Sequence, residues 1–189
     1  MEDEENEEME QPKTVVQHAV KFGLILGIAG AILNLLLYVI DPTLLVNIWM
    51  LLLLFVFMGL VVYGGINYRK EIGGYINFGP AFIHGFTVFV MMGLIGLIFN
   101  LLMYNIIDPS LAETLTDASV EQAQSMAEGF GASGDVLDEA MEKARTDSAA
   151  SFTNFGLFKS FLISLIVYAV LSLITGLIVR KQEKISDIY

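Results

Sequence analysis

Polar side chains recur in matched places within long apolar runs. His18, Asn34 and Tyr38 return 66 residues later as His84, Asn100 and Tyr104. An imidazole can exchange a proton near neutral pH, and an amide or phenol in hydrocarbon needs a hydrogen-bond partner. After one extra residue in the second copy, Asp41-Pro42 is answered by Asp108-Pro109, which puts a carboxylate at the end of each run. Such a set could sense protons through paired histidines, line the path of a small solute or ion, or hold a cation. Plainer readings compete with each. Two histidines without further ligands make a poor zinc site, and hydrogen bonding at the membrane interface suits them better. Asp-Pro ordinarily ends a helix, because proline disfavours helical geometry in the residue before it.

Spacing places these residues on helix faces. Gly23, Gly27, Gly30, Asn34, Tyr38 and Asp41 follow one another at intervals of four, three, four, four and three, and Gly93, Gly96, Asn100 and Tyr104 repeat the stripe. Small residues let helix backbones approach closely. The first expectation is therefore that both stripes pack, with Asn34 meeting Asn100. A polar path for a solute and a dimerisation surface are the alternatives.

The elements that carry the stripes are membrane helices. Hydrophobic residues make up 55% of the 189-residue chain, and the mean hydropathy of +0.65 is too high for an ordinary soluble surface. Helices are expected at about 20–40, 47–67, 80–107 and 154–180, each long enough for a hydrocarbon core of about 30 Å. Continuous apolar runs lack the alternation of barrel strands. Nine of 23 aligned positions, His18 to Ile40 against His84 to Ile106, are identical, more than shared composition would produce. The expected fold is an all-α membrane protein: a four-helix bundle of two parallel duplicated hairpins, 13–77 and 78–189.

The second helices match more weakly. Gly65 to Lys70 resembles Gly176 to Lys181, and the offset rises to 111, so the second hairpin carries a long insertion between its helices. Val120, Ala123, Ala127 and Phe130, then Val136, Ala140, Met141 and Ala144, have helical spacing, with Asp135 as an expected N-cap. The insert, about 111–150, reads as an acidic helical hairpin. Its Glu121, Glu128, Asp138, Glu139 and Glu142 form either a solvated face or a docking surface for a basic partner. They lack calcium-loop spacing. Lys13, Lys21, Arg69, Lys70, Arg180, Lys181 and Lys184 flank one side of the four runs, which places both termini and the link between helices two and three in the cytoplasm and the insert outside. Residues 1–12 form an acidic tail, expected to be disordered and unlike a signal peptide.

Tyr75-Ile76-Asn77-Phe78-Gly79, Ile107-Asp108-Pro109-Ser110, Asp138-Glu139-Ala140-Met141 in the acidic insert, and a last helix ending in Arg180-Lys181 together resemble a bacterial family of four-helix membrane proteins catalogued as a domain of unknown function. The resemblance runs from about Lys13 onward. It implies a multi-pass inner-membrane protein and brings no catalytic residue with it.

Enzymatic motifs are absent: the sequence has no phosphate-binding glycine loop, nucleophile elbow or zincin helix. No cysteine is available for thiolate chemistry, no cofactor is expected, and a net charge of −11 disfavours nucleic acid. The expected function is a non-enzymatic scaffold or interaction subunit of a membrane assembly, with a protein partner or a homo-oligomer in the bilayer. The alternative is a small oligomeric transporter or channel for an ion or small solute.

Overall fold

Residues 14–182 are described by a computed structural model built from six α-helices. These are α1 (Val15–Ile40), α2 (Met50–Glu71), α3 (Phe78–Leu102), α4 (Leu111–Gly129), α5 (Asp135–Ser151) and α6 (Asn154–Val179). The acidic tail lies outside the described residues. Four helices, with α3 prolonged to Ile107, are long and apolar enough to cross a membrane. Only 17–22% of each apolar window is buried inside the chain, so most of this surface would face water without a bilayer. The chain is a membrane protein.

Local chemistry sets the helix ends. α1 starts at Val15, earlier than residue 20, because Thr14 and Gln17 form a capping box: the Gln17 N–H donates to the Thr14 hydroxyl, and the Thr14 N–H to the Gln17 amide oxygen. α2 starts at Met50 rather than near 47, since a 3₁₀ turn over Pro42–Val46 occupies the link from α1. Asp41 and Asp108 act as helix stops. The Asp41 carboxylate accepts from the N–H and hydroxyl of Thr43, and that of Asp108 from the N–H and hydroxyl of Ser110. Asp135 is not the cap of α5. Gly134 takes that position with φ at 59°, a left-handed conformation that favours glycine.

One extra residue in the second matched run leaves a visible mark. The Asp41 N–H bonds to the Leu37 carbonyl four residues back, whereas the Asp108 N–H bonds to the Met103 carbonyl five back, closing a π turn over Met103–Ile107. Leu37 and Met103 are equivalent in the sequence match, as are Asp41 and Asp108. The π turn therefore takes up the additional residue while keeping the same donor and acceptor positions.

α3 is the central helix, packed along α1 on one side and α6 on the other. Glycines make the first contact close: a Cβ on Gly23 would sit 2.7 Å from Met91 Cβ, and one on Gly27 would sit 2.9 Å from Ile95 Cβ. Gly176 and Gly85 do the same between α6 and α3, against Phe82 backbone atoms at 3.2 Å and the Thr175 hydroxyl at 2.6 Å. α2 touches all three neighbours but follows none of them closely. α4 and α5 pair as a hairpin, and α4 crosses the end of the bundle where α1 and α3 finish.

Gly27→Leu should force α1 off α3, costing about 1–3 kcal/mol and lowering the melting temperature in detergent. Gly96→Ala, with no atom within 4 Å of the added methyl, should be tolerated. Equal melting shifts for the two would contradict the close α1–α3 contact.

Candidate functional site

Three contacts tie one end of the bundle. His18 on α1 and His84 on α3 meet through Nδ1 and Nε2 at 3.0 Å, so one imidazole donates and the other accepts. Tyr68 from α2 stacks on the His84 ring at a centroid distance of 5.8 Å, and Glu71 approaches His18 at 3.9 Å. The Arg69 guanidinium donates to the Val179 carbonyl at 2.6 Å and so caps α6. Beyond α6, Ile76 and Lys181 exchange two backbone hydrogen bonds at 2.9 and 3.0 Å. Tyr68, Ile76, Ala81 and Val179 fill the space between these ties.

Away from this clamp the helices part. A cavity of about 440 Å³ lies between the N-terminal half of α2 and the wall formed by α1, α3 and α6. Gly27, Gly30, Asn34, Gly93, Gly96 and Asn100 all line it, with Ser160, Ser164 and Tyr168 from α6. A second cavity of about 350 Å³ continues toward α4 and shares Asn34, Asn100, Met50, Leu157 and Ser160 with the first. Tyr38 and Tyr104 line its outer part, and Leu111 and Leu115 of α4, with Ser151 and Phe152, cover it.

The stripe thus has two roles along its length. Gly27 packs on α3, and Gly93 admits Tyr168, whose hydroxyl would lie 2.5 Å from an added Cβ. Gly30 and Gly96 touch little: the nearest atom to an added Cβ is 3.6 Å away on Phe57 for Gly30, and none lies within 4 Å for Gly96. Their missing side chains widen the cavity. Asn34 and Asn100 stand on its wall, and among the described residues neither amide forms a side-chain hydrogen bond with the protein. They share the cavity rather than bonding to each other.

The matched tyrosines have different neighbours. The Tyr38 hydroxyl donates to Asp108 at 3.1 Å and ties α1 to the end of α3, whereas Tyr104 meets Phe152 edge-on at 5.9 Å. Hydrogen bonds from the Ser110 hydroxyl, Tyr38 and nearby backbone N–H groups hold the Asp108 carboxyl below its usual range, outweighing its partial desolvation. On the insert, Glu121, Glu128, Asp138, Glu139 and Glu142 are all exposed. Glu121 borders a groove between α4 and the 3₁₀ turn, Glu139 and Glu142 flank Lys143, and Glu128 accepts from Gln124 at 2.8 Å. The described residues contain no group of three or more His, Cys, Asp or Glu arranged to hold a metal ion.

Sequence reasoning missed Tyr168, Tyr68 and Glu71. Tyr168 could have been found, since Ser160, Ser164, Tyr168 and Ser172 step by four along the same face of α6. Tyr68 and Glu71 reach the histidines from a different helix, and no spacing within one helix reports that.

A helical membrane protein with a neutral polar cavity is the class these features define. The family model described as "Protein of unknown function (DUF4199)" matches residues 21–181, and the chain belongs to that family. Searches of curated proteins and of solved structures returned no match.

His84→Phe removes the imidazole pair at similar volume and should cost about 1 kcal/mol, roughly 2–4 °C in melting temperature for a chain of this size. An N–H···N bond needs one imidazole to lack a proton, so the wild-type advantage should shrink in acid. Melting curves of the two proteins that coincide at every pH would reject the clamp as a source of stability.

Proposed function

We propose that the protein binds a small, uncharged amphiphile inside the bilayer and carries it, acting as a transporter rather than an enzyme. The observation that supports this is the wall shared by Asn34 and Asn100, two amides without side-chain partners in a cavity of otherwise mostly apolar lining. Both residues are half-buried, and an amide that faces hydrocarbon without a partner is costly. A solute with one polar end and an apolar body would satisfy both the amides and the Leu, Met and Phe around them. The volume falls within the range of about 300–1,000 Å³ common for small-molecule pockets. Among the described residues no charged side chain lines either cavity, so a permeating ion would meet no opposite charge there, and the ion-channel alternative is disfavoured. The cavity lies within one chain, so binding asks for no oligomer.

In this reading the chain is two parallel copies of a membrane hairpin in a bacterial inner membrane, with both termini inside and α4–α5 outside. The nine identities and the π turn that absorbs the extra residue support the duplication. The flanking Lys and Arg support the orientation. The α4 side then covers the outer end of the cavity, and the histidine clamp closes the inner end. Carriage across the membrane requires these two closures to open in turn.

The scaffold reading keeps one observation in its favour. α5 buries none of its residues against the rest of the chain, which leaves Asp138, Glu139 and Glu142 available to a basic partner.

Native mass spectrometry of the chain extracted in its own lipids separates the two. A small neutral adduct is expected on the wild type, with occupancy falling roughly tenfold or more in the double variant Asn34→Leu, Asn100→Leu, as expected for losing two hydrogen bonds of about 1 kcal/mol each. An adduct that survives the double substitution, or a wild type without one, sinks the solute reading. A stoichiometric foreign protein lost on deleting the α4–α5 insert would replace it with the scaffold.

A further inference from the structure

α4 keeps a single face toward the membrane bundle but outruns it. Leu111, Leu115, Gln122 and Met126 recur at four, seven and four residues, one stripe of a helix with about 3.6 residues per turn, and Phe130 follows as the residue that caps the helix end. Leu111 and Leu115 are each only 1% exposed, packed against Tyr38, Leu45 and Val46 at the bundle end. One turn or two further on, the Gln122 amide, oriented to satisfy both neighbours, donates to the Val46 carbonyl at 2.6 Å and accepts from the Ile48 N–H at 3.1 Å. Met126 then borders the same groove as Ile48 and Trp49, at the start of α2. Exposure climbs to 51% at Met126 and, at the helix end, to 87% at Phe130. α4 therefore runs from the end of α3, across the end of α1 and past the start of α2, with Met126 on the groove beside Trp49 and Phe130 exposed at its tip.

Beyond that edge, at the level of the helix ends, lies the lipid interface. Trp49 is 68% exposed beside it, and α2 continues from Trp49 with lipid-facing Leu51, Leu52 and Phe55. Tryptophan favours this depth of the bilayer. The carboxylates of Asp117 and Glu128 fall a quarter turn or more to one side of Leu111, Leu115 and Gln122 at about 3.6 residues per turn, while Glu121 borders the groove beside Gln122 and Met126.

We propose that the tip of the α4–α5 hairpin is a membrane-interface anchor, in which Phe130 and Met126 enter the headgroup and upper acyl region of the leaflet next to Trp49. The surface is then continuous with the lipid-facing surface of α2. The insert lies along the membrane instead of standing out into water, and the cover it forms over the cavity is held from both ends, by Leu111 and Leu115 in protein and by Phe130 in lipid.

The chain's single tryptophan makes the test direct. Two full-length proteins are compared in phosphatidylcholine vesicles, the wild type reporting from Trp49 and the variant Trp49→Phe, Phe130→Trp reporting from the tip. Lipids brominated at shallow acyl positions should quench both, and aqueous iodide should quench the tip no more than about as strongly as Trp49. Strong iodide quenching of the tip without bromine quenching would overturn the anchor and put the tip in water. Quenching by neither would overturn it in favour of a contact with protein. Phe130 is almost wholly exposed, so the replacement itself leaves the fold undisturbed, which a melting curve in the same vesicles checks.

Discussion

The close approach of α1 to α3 is the constraint on which the other contacts depend. Gly23 and Gly27 bring the two backbones together beside Val88 and Met92, and this approach lets His18 and His84 reach hydrogen-bonding distance at one end. Hydrocarbon offers helices little drive to associate, so close backbone packing and a few polar bonds must supply it. The same logic joins α3 to α6 through Gly85 and Gly176. α2 has no equivalent run of close contacts. Phe22 seats against Gly64 near the clamp, while Phe57 stands between α2 and Gly30 further along. α2 is held against the bundle at the histidine end and stands off along its N-terminal half, and the cavity is the space that results.

Two matched sequences in one chain need not make matched contacts. Gly27 and Gly93 are equivalent in the alignment, yet one faces α3 and the other faces Tyr168 of α6. Tyr38 reaches Asp108, while Tyr104 is turned against Phe152 by the π turn and the insert behind it. The insert breaks the equivalence: it lies over only one end of the bundle and gives Met103, Leu111 and Leu115 a core with no counterpart in the first hairpin.

Helix number and extent were legible in the sequence because they follow from local quantities, apolar length and the Asp-Pro stops. The same holds for the α4–α5 hairpin, where apolar residues at helical spacing and the Gly129 to Gly134 break predicted two helices that the structure contains. The stripe of Gly27, Gly30, Asn34 and Tyr38 was legible as a stripe but not as a cavity wall. Spacing says which residues share a face. It does not say whether that face meets another backbone or a gap, since this depends on how far α2 leans away, which depends in turn on Phe22 and Phe57. The histidine pair shows the same limit: each residue was visible alone, and the 3.0 Å contact exists only once α1 and α3 have docked in register.

Neutrality of the cavity and charge outside it belong to one design. With 21 acidic residues against 10 basic ones, the chain carries a large negative charge, and among the described residues no charged side chain lines the two cavities. Among the described residues, carboxylates are instead held at the ends of the spans and on the insert: Asp41 and Asp108 in turns at the helix ends, Glu71 beside the clamp, and the others along α4 and α5. An intramembrane carboxylate without a cation would protonate or draw water in, and either would spoil a space suited to an uncharged solute. The amides of Asn34 and Asn100 avoid that cost, because each offers a donor and an acceptor without a charge to solvate. A pair of amides facing one space can therefore hold a solute by hydrogen bonds and release it without moving a proton or an ion. The His18–His84 contact, whose N–H···N bond a proton would change, lies toward the opposite ends of α1 and α3 from Asn34 and Asn100.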